Sequence, residues 1–267
     1  MADPKPQTPG TPGTPTTPGS DSASPAGNPA RRPPTPPPPA LDERGAAGQT
    51  SDTRLYFQLL VFTGCDDPAG VVEYAQRHAA TSFVIYEAVN DPFGVGLLTF
   101  SREPHDFIRH TRKLIHDGPL RGCPPVPAMT MLGRSYALGY EPDLHDTLIE
   151  RPTRHALNPE TPWAVWYPLR RKGLFEKLPR EEQNAILKQH GTIGFSFGRH
   201  GHAADIRLAC HGLDVRDNDF VIGLMAPELT PLSKLVQAMR QTDQTSTYLE
   251  QLGPFFVGRA LYQSPMP

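Results

Sequence analysis

The order of hydrophobic patterns along the chain constrains its fold more than any other feature of the sequence. Residues 54–63 (RLYFQLLVFT) are typical of a mostly buried strand, and the Asp-Pro pair at 67–68 supplies an N-cap and a first-turn proline for a helix. Two further strands follow, the first over 82–89. They lead into a helix that ends at the Asp-Gly pair 117–118 and then into a strand within 127–138. This order, β-α-β-β-α-β, is that of the ferredoxin-like fold.

The second half of the chain repeats the same order. A strand over 163–169 leads into helices over about 174–190. Two strands follow near 203–210 and 219–225, and the last strand covers 254–262. A further helix begins at the Thr-Pro pair before the last strand. The sequence therefore predicts an α+β fold of two tandem ferredoxin-like halves, residues 51–150 and 151–267. Together they form a β-barrel-like core with outer helices, of the dimeric α+β barrel type.

The N-terminal segment has a different composition. Fourteen of the 32 prolines lie within the first 40 residues. Such a segment buries too little apolar surface to offset its ordering entropy, so residues 1–50 are predicted to be a disordered tail. Two functions stay open for it: a solvated spacer, or a ligand for SH3-like or WW-like domains through the prolines at 36–39.

Charge and cysteine content exclude several classes of protein. A formal net charge of -2 is unsuited to neutralising phosphates, so nucleic acid is not an expected partner. Cys65, Cys123 and Cys210 are odd in number and far apart, which favours reduced thiols in a cytoplasm. Cys210 lies mid-strand among apolar residues, as expected of a buried, inert thiol. No secretory signal and no apolar run of about 20 residues is visible, so we expect a soluble cytoplasmic protein without a membrane span.

His190 is the candidate for metal chemistry. It ends the amphipathic pattern PREEQNAILKQHG, in which Pro179 suits the first turn and Gly191 the left-handed position after the last turn. Ile186, four residues earlier, puts an apolar side chain on the same side. A neutral imidazole that projects from a helix end into an apolar cavity suits the axial position of a haem iron. The alternative is an imidazolium that complements the helix dipole.

Four segments carry a resemblance to a known family. WYPLRR (166–171), LPREEQNAILKQHGTIG (178–194), HGLDVRDNDF (211–220) and LGPFFVGR (252–259) together resemble the chlorite dismutase family, in particular its coproheme decarboxylase-like branch. The resemblance implies two ferredoxin-like halves and a homo-oligomer, a pentamer or a dimer. It also implies His190 as axial ligand of the iron in haem b or iron coproporphyrin III (coproheme).

The residue opposite the axial ligand separates activities within that family. Chlorite dismutases have an arginine seven positions before the glycine of the GLD-type turn, and many decarboxylases have a glutamine. Counting back from Gly212 leads to Asp205. Arg207 lies two residues on, on the same strand face, and a bulge would bring it to this position. A carboxylate repels chlorite but can accept a proton from peroxide, so Asp205 argues against chlorite chemistry.

Further residues are assigned by the same resemblance. Tyr167 matches the tyrosine that relays a radical to a porphyrin propionate, the alternative being an aromatic core residue. Arg171 takes the place of a lysine that decarboxylases often have; it keeps the positive charge but hardly releases a proton at neutral pH. Arg151 and Arg154 precede the strand and can pair with propionates bidentately.

The resemblance predicts a haem-dependent oxidoreductase, with an iron porphyrin and hydrogen peroxide as partners. In the coproheme decarboxylase reaction, peroxide drives oxidative decarboxylation of iron coproporphyrin propionates to give haem b. Two alternatives stay open. One keeps the haem but changes the reaction, to chlorite dismutation or weak peroxidase activity. The other is a non-catalytic haem-binding or assembly protein.

Overall fold

A computed structural model describes residues 37–267. Most of the predicted proline-rich tail, residues 1–36, lies outside the described residues. A compact unit spans Leu41–Pro267. Two short strands there, β1 (Glu43–Arg44) and β2 (Thr50–Ser51), pair with each other. The Glu43 carboxylate accepts a hydrogen bond of 2.6 Å from Arg134, a long-range partner that composition does not reveal.

The remaining strands of the described part form one antiparallel sheet. They are β3 (Tyr56–Phe62), β4 (Ser82–Ala88), β5 (Val95–Ser101), β6 (Met131–Ser135), β7 (Trp163–Arg171), β8 (Ala204–Ala209), β9 (Phe220–Ala226), β10 (Leu249–Leu252) and β11 (Phe256–Gln263). Their order is β10-β7-β11-β4-β5-β3-β6-β8-β9, and β9 pairs with β7 again. The sheet therefore closes into a barrel, which β10 extends along β7. The predicted α+β class is confirmed.

Helices lie between the strands. They are α1 (Pro68–His78), α2 (Arg112–Asp117), α3 (Arg151–Ala156), α4 (Gly173–Glu176), α5 (Arg180–Arg199), α6 (Leu229–Met239) and α7 (Asp243–Tyr248). A π-helical turn directly precedes each of α2 and α3, at Phe107–Thr111 and Asp146–Glu150. α1 begins as predicted, because the Asp67 carboxylate accepts a hydrogen bond of 2.9 Å from the Gly70 N–H. Within the described residues, no helix has both the length and the apolar character needed to cross a membrane.

Strand alternation divides the apolar residues into a barrel interior and two outer layers. In β7, Trp166 belongs to the interior cluster together with Phe57 of β3. Its neighbour Tyr167 points the other way, into an outer cluster that includes Leu232 and Leu235 of α6. The sheet face that carries Tyr167 is therefore covered by helices of the second half.

Two of the three cysteines lie together, contrary to the expectation of reduced thiols. Cys65 follows β3 and Cys123 follows a 3₁₀ turn at Pro119–Gly122, and their Cα atoms are 5.3 Å apart in a disulfide. The sequence separation of 58 residues hides this pairing, which arises where the residues after the turn pair with the end of β3, as the Thr63 N–H donates a hydrogen bond of 2.9 Å to the Pro124 carbonyl. Cys210 is buried as predicted, and burial raises the pKa of its thiol to about 12.

Candidate functional site

His190 lies in the middle of a helix, not at its end. α5 continues without a break through Gly191 and Gly194 to Arg199, so the predicted helix terminus is wrong. Glycine in a helix interior costs roughly 1 kcal/mol relative to alanine. The helix continues because Ile193 and Phe197, on the same side as His190, pack against the outer cluster of the second half.

The side of α5 that carries His190 is not closely packed. Ile186 is the only buried residue of this 20-residue helix. His190, Ile193 and Phe197, which follow it on the same stripe, are half-buried. A helix packed directly on a sheet usually buries such a stripe. An open groove of about 550 Å³ lies nearby between α5 and α7; it is lined by residues that include Ile186, Gln189 and Tyr248, and His190 is not among them. The stripe of α5 that carries His190 is therefore only partly covered by the rest of the described chain.

The His190 imidazole is held and kept neutral. Its Nδ1 lies 3.3 Å from Oγ1 of Thr242, at the start of α7. Burial lowers the pKa of His190 to about 4, and the positive charges of Arg171 and Arg207 act in the same direction. The ring is therefore uncharged at neutral pH, which a metal-binding imidazole requires. The alternative of an imidazolium at a helix end is wrong.

Asp205 and Arg207 face the same space from β8. The Arg207 Nε lies 3.0 Å from a carboxylate oxygen of Asp205, and each side chain is 48% exposed. The register between β8 and β9 is regular from Ala204 to Ala209, so β8 has no bulge to move Arg207 into the place of Asp205. The two side chains instead form an ion pair of zero net charge.

Arg171 is an oriented cation with an unused donor. Its guanidinium lies 4.8 Å from the ring centre of Phe175 and 4.7 Å from that of Phe220. The Nε is buried and has no hydrogen-bond partner among the described residues. The exposed carboxylate of Glu176 lies 3.9 Å from another nitrogen of the same group. Two aromatic faces thus fix the plane of a guanidinium whose side chain is 18% exposed, so an external carboxylate can approach its exposed part but not the buried Nε.

Tyr167 lies against this site as part of the outer layer. Its ring stacks on Phe255 with 4.6 Å between centroids, and the side chain is buried. Burial raises the pKa of the phenol, and the nearby charge of Asp205 raises it further. Tyr167 is therefore a buried neutral phenol within the electrostatic influence of a carboxylate.

Tyr136 is a site residue that sequence reasoning missed. It follows β6, in the other half of the chain, and its ring lies 5.5 Å from that of Phe220. Burial raises the pKa of this phenol, while the positive charges of Arg207 and Arg171 oppose the shift. No local pattern marks Tyr136, because only the pairing of β6 with β8 brings it here.

Arg151 and Arg154 both bind the carboxylate of Asp146. The Nε and Nη2 atoms of Arg151 bind one carboxylate oxygen of Asp146 at 2.9 and 2.8 Å, and Arg154 binds the other at 2.7 Å. These hydrogen bonds lower the pKa of Asp146 although partial burial opposes the shift. The structure thus pairs both arginines with a carboxylate of the preceding turn and does not leave them free for propionates.

Comparisons with known proteins agree with the fold. A family model described as chlorite dismutase matches residues 140–261. A haem-binding protein from Thermus thermophilus shares 16% identity and a TM-score of 0.62, over 79% of this chain and 92% of that chain. A mutant chlorite dismutase from Candidatus Nitrospira defluvii, in complex with cyanide, shares 17% identity and a TM-score of 0.61, over 81% and 93%. A sequence search of curated proteins gives no match.

Proposed function

Because residues 140–261 match a family model described as chlorite dismutase, we propose that this chain binds an iron porphyrin through His190 and acts as a coproheme decarboxylase-like oxidoreductase. The observation that carries the proposal is the neutral, half-buried imidazole of His190 on a loosely packed helix face, beside the cations Arg171 and Arg207. A bound iron porphyrin supplies redox chemistry with hydrogen peroxide. The protein supplies the axial nitrogen, the groups that orient the carboxylates and the groups that move protons.

The proposed substrate is iron coproporphyrin III and the product is haem b. Each propionate that reacts becomes a vinyl group and releases carbon dioxide, one proton and two electrons. One hydrogen peroxide takes up two electrons and two protons and gives two molecules of water. Two peroxide molecules are therefore consumed when two propionates react.

Arg171 is proposed to hold a reacting propionate. The rings of Phe175 and Phe220 fix the plane of its guanidinium, and 18% of its side chain is exposed. A charge-assisted hydrogen bond from the exposed part of this group would hold the propionate carboxylate. With Arg151 and Arg154 bound to Asp146, Arg171 is the cation best placed for this role.

Tyr167 is proposed to relay the oxidation to the propionate. A buried phenol gives up an electron readily only if its proton leaves at the same time. The charge of Asp205 acts on this phenol, but no hydrogen bond joins the two side chains within the described residues, so water at the site is the proposed carrier of the Tyr167 Oη proton towards Asp205. The Asp205–Arg207 pair has no net charge. A free arginine would attract an anion such as chlorite, whereas this neutral pair does not. The approach of uncharged hydrogen peroxide does not depend on such an attraction.

A second candidate is a peroxidase that retains its haem. It is favoured by the arginine at position 171, because a guanidinium cannot supply a proton at neutral pH in the way a lysine does. The two candidates differ in what happens to the porphyrin. Decarboxylation changes its mass, whereas peroxidase activity oxidises an added donor and leaves the mass unchanged.

The test mixes the protein, iron coproporphyrin and hydrogen peroxide and follows the porphyrin by mass spectrometry. We expect two successive losses, each of carbon dioxide and two hydrogens, that are abolished in His190→Ala and Tyr167→Phe. Tyr74→Phe, in the other half of the chain, is the matched control and should react like wild type. An unchanged porphyrin mass in the wild-type protein would refute the decarboxylase assignment.

A further inference from the structure

We propose that Thr242 is a positioning residue that fixes His190 in its Nδ1-protonated tautomer and so leaves Nε2 as the nitrogen that binds iron. The tautomer follows from hydrogen-bond geometry in the protein itself, and only the use of Nε2 rests on the proposed function. Thr242 lies 52 residues after His190, outside every sequence motif considered above.

The contacts of the Thr242 hydroxyl make it an acceptor towards His190. Its Oγ1 donates its single proton to the backbone oxygen of Met239 at 2.7 Å, because the other oxygen within reach, Oγ1 of Thr245, lies farther away at 3.4 Å. The remaining lone pairs face the N–H of Thr245 at 3.4 Å and His190 Nδ1 at 3.3 Å. A hydroxyl whose proton is already committed cannot donate to a ring nitrogen. Nδ1 must therefore carry the hydrogen, and the lone pair of the neutral ring resides on Nε2.

The contact between Thr242 and His190 is shielded from water on the Thr242 side and is supported by a neighbouring hydrogen bond. Thr242 is 2% exposed, so water does not replace His190 as its partner. The preceding residue of α5, Gln189, accepts a hydrogen bond of 3.0 Å from the backbone N–H of Asp243. Adjacent residues of α5 thus hold adjacent residues at the start of α7. This double contact restricts the rotation of the helix and of the His190 ring.

A hydroxyl acceptor also sets how strongly the imidazole donates electrons. A partner of a ligating histidine that carries negative charge draws the Nδ1 proton and makes the ring a stronger donor. Thr242 carries no charge, so it orients the ring without this effect. Thr242→Asp keeps both an acceptor and a helix cap and adds a charge, which should shift the reduction potential of bound iron to lower values.

The first experiment reads the tautomer in the porphyrin-free protein. Ring nitrogen chemical shifts are recorded at pH 8 on protein with ¹⁵N-labelled histidine, and His190 is assigned by its loss in His190→Ala. We expect Nδ1 protonated in wild type and in Thr242→Ser. Thr242→Val should move the population towards the Nε2-protonated form, and Thr247→Val, an exposed position on the same helix, should have no effect. An Nε2-protonated His190 in the wild-type protein would overturn the proposal, whether or not any variant folds.

The second experiment measures iron protoporphyrin affinity by absorbance titration. Loss of a partner that orients a metal ligand typically costs between about 10- and 100-fold in affinity, which is expected for Thr242→Val and not for Thr242→Ser. An unchanged affinity in Thr242→Val would overturn the positioning role. If His190→Ala binds as tightly as wild type, the haem assignment fails, while the tautomer result stands or falls on the first experiment.

Discussion

Replacement of His190 by glutamine should change how stability depends on pH. Burial lowers the pKa of this imidazole from 6.5 to about 4 in the folded protein. Between these two pKa values the imidazole is therefore protonated in the unfolded chain and neutral in the folded protein. Stability then falls as the pH decreases from about 6.5 towards about 4, the window set by these two pKa values.

The size of this effect follows from the two pKa values. Between pH 7 and pH 5 the unfolded imidazole becomes protonated while the folded one stays neutral, which destabilises the folded state by about 2 kcal/mol. The glutamine side chain in His190→Gln is uncharged at both pH values and can still bind the Thr242 hydroxyl. This variant therefore lacks the loss of stability that the imidazole causes. All other titrating groups are shared by the two proteins, so their contributions cancel in the difference.

The assay is urea unfolding of the porphyrin-free proteins at pH 7 and pH 5, with the free energy of unfolding extrapolated to water. Wild type should lose about 2 kcal/mol more than His190→Gln between these pH values. His105→Gln, at an exposed position in the other half of the chain, should behave like wild type. Equal losses in wild type and His190→Gln would show that the ring is not held neutral by burial, and the basis for an iron ligand would be lost.

Other residues give further expectations. Arg171→Met should weaken iron coproporphyrin binding in an absorbance titration by about tenfold or more, because a charge-assisted hydrogen bond is lost. Asp205→Asn should leave the charge of Arg207 unbalanced and strengthen fluoride binding to the haem-loaded protein by about two- to fivefold, the modest size expected of a half-exposed pair; weaker binding would contradict this. Cys65→Ser should lower the free energy of unfolding by about 2–4 kcal/mol without reductant and much less with it. Light scattering of the purified protein should show a dimer or pentamer, and a monomer would refute the predicted assembly.

The strands were predictable from the sequence because their patterns are local. Residues 54–63 read as a buried strand, and the structure forms β3 over Tyr56–Phe62. The Asp-Pro pair before α1 defines its start through one capping bond. The end of α5 was not predictable in the same way. Gly191 resembles a C-terminal cap, but the contacts of Ile193 and Phe197 with the outer cluster extend the helix beyond it.

The site was predictable only where a single residue carries the signal. Motifs predicted His190, Tyr167 and Asp205 as candidates, whereas the residues that contact or surround them were not predicted. Thr242 and Tyr136 come from distant parts of the chain, and their side chains are ordinary in their local sequence. Arg151 and Arg154 were assigned to propionates because their charge was visible. The carboxylate of Asp146 that binds them could be recognised only from the geometry of the π-helical turn and α3.

The closed barrel makes both halves of the chain necessary for the candidate site. β6 of the first half pairs with β8 of the second, with Arg134 opposite Ala209 and Ser135 opposite Leu208. This register carries Tyr136, the next residue after β6, to the charges of Arg207 and Arg171. Tyr136 precedes the segment of the chain that matches the family model. A residue outside the family match thus contributes to the surroundings of Arg207, together with Asp205 inside it.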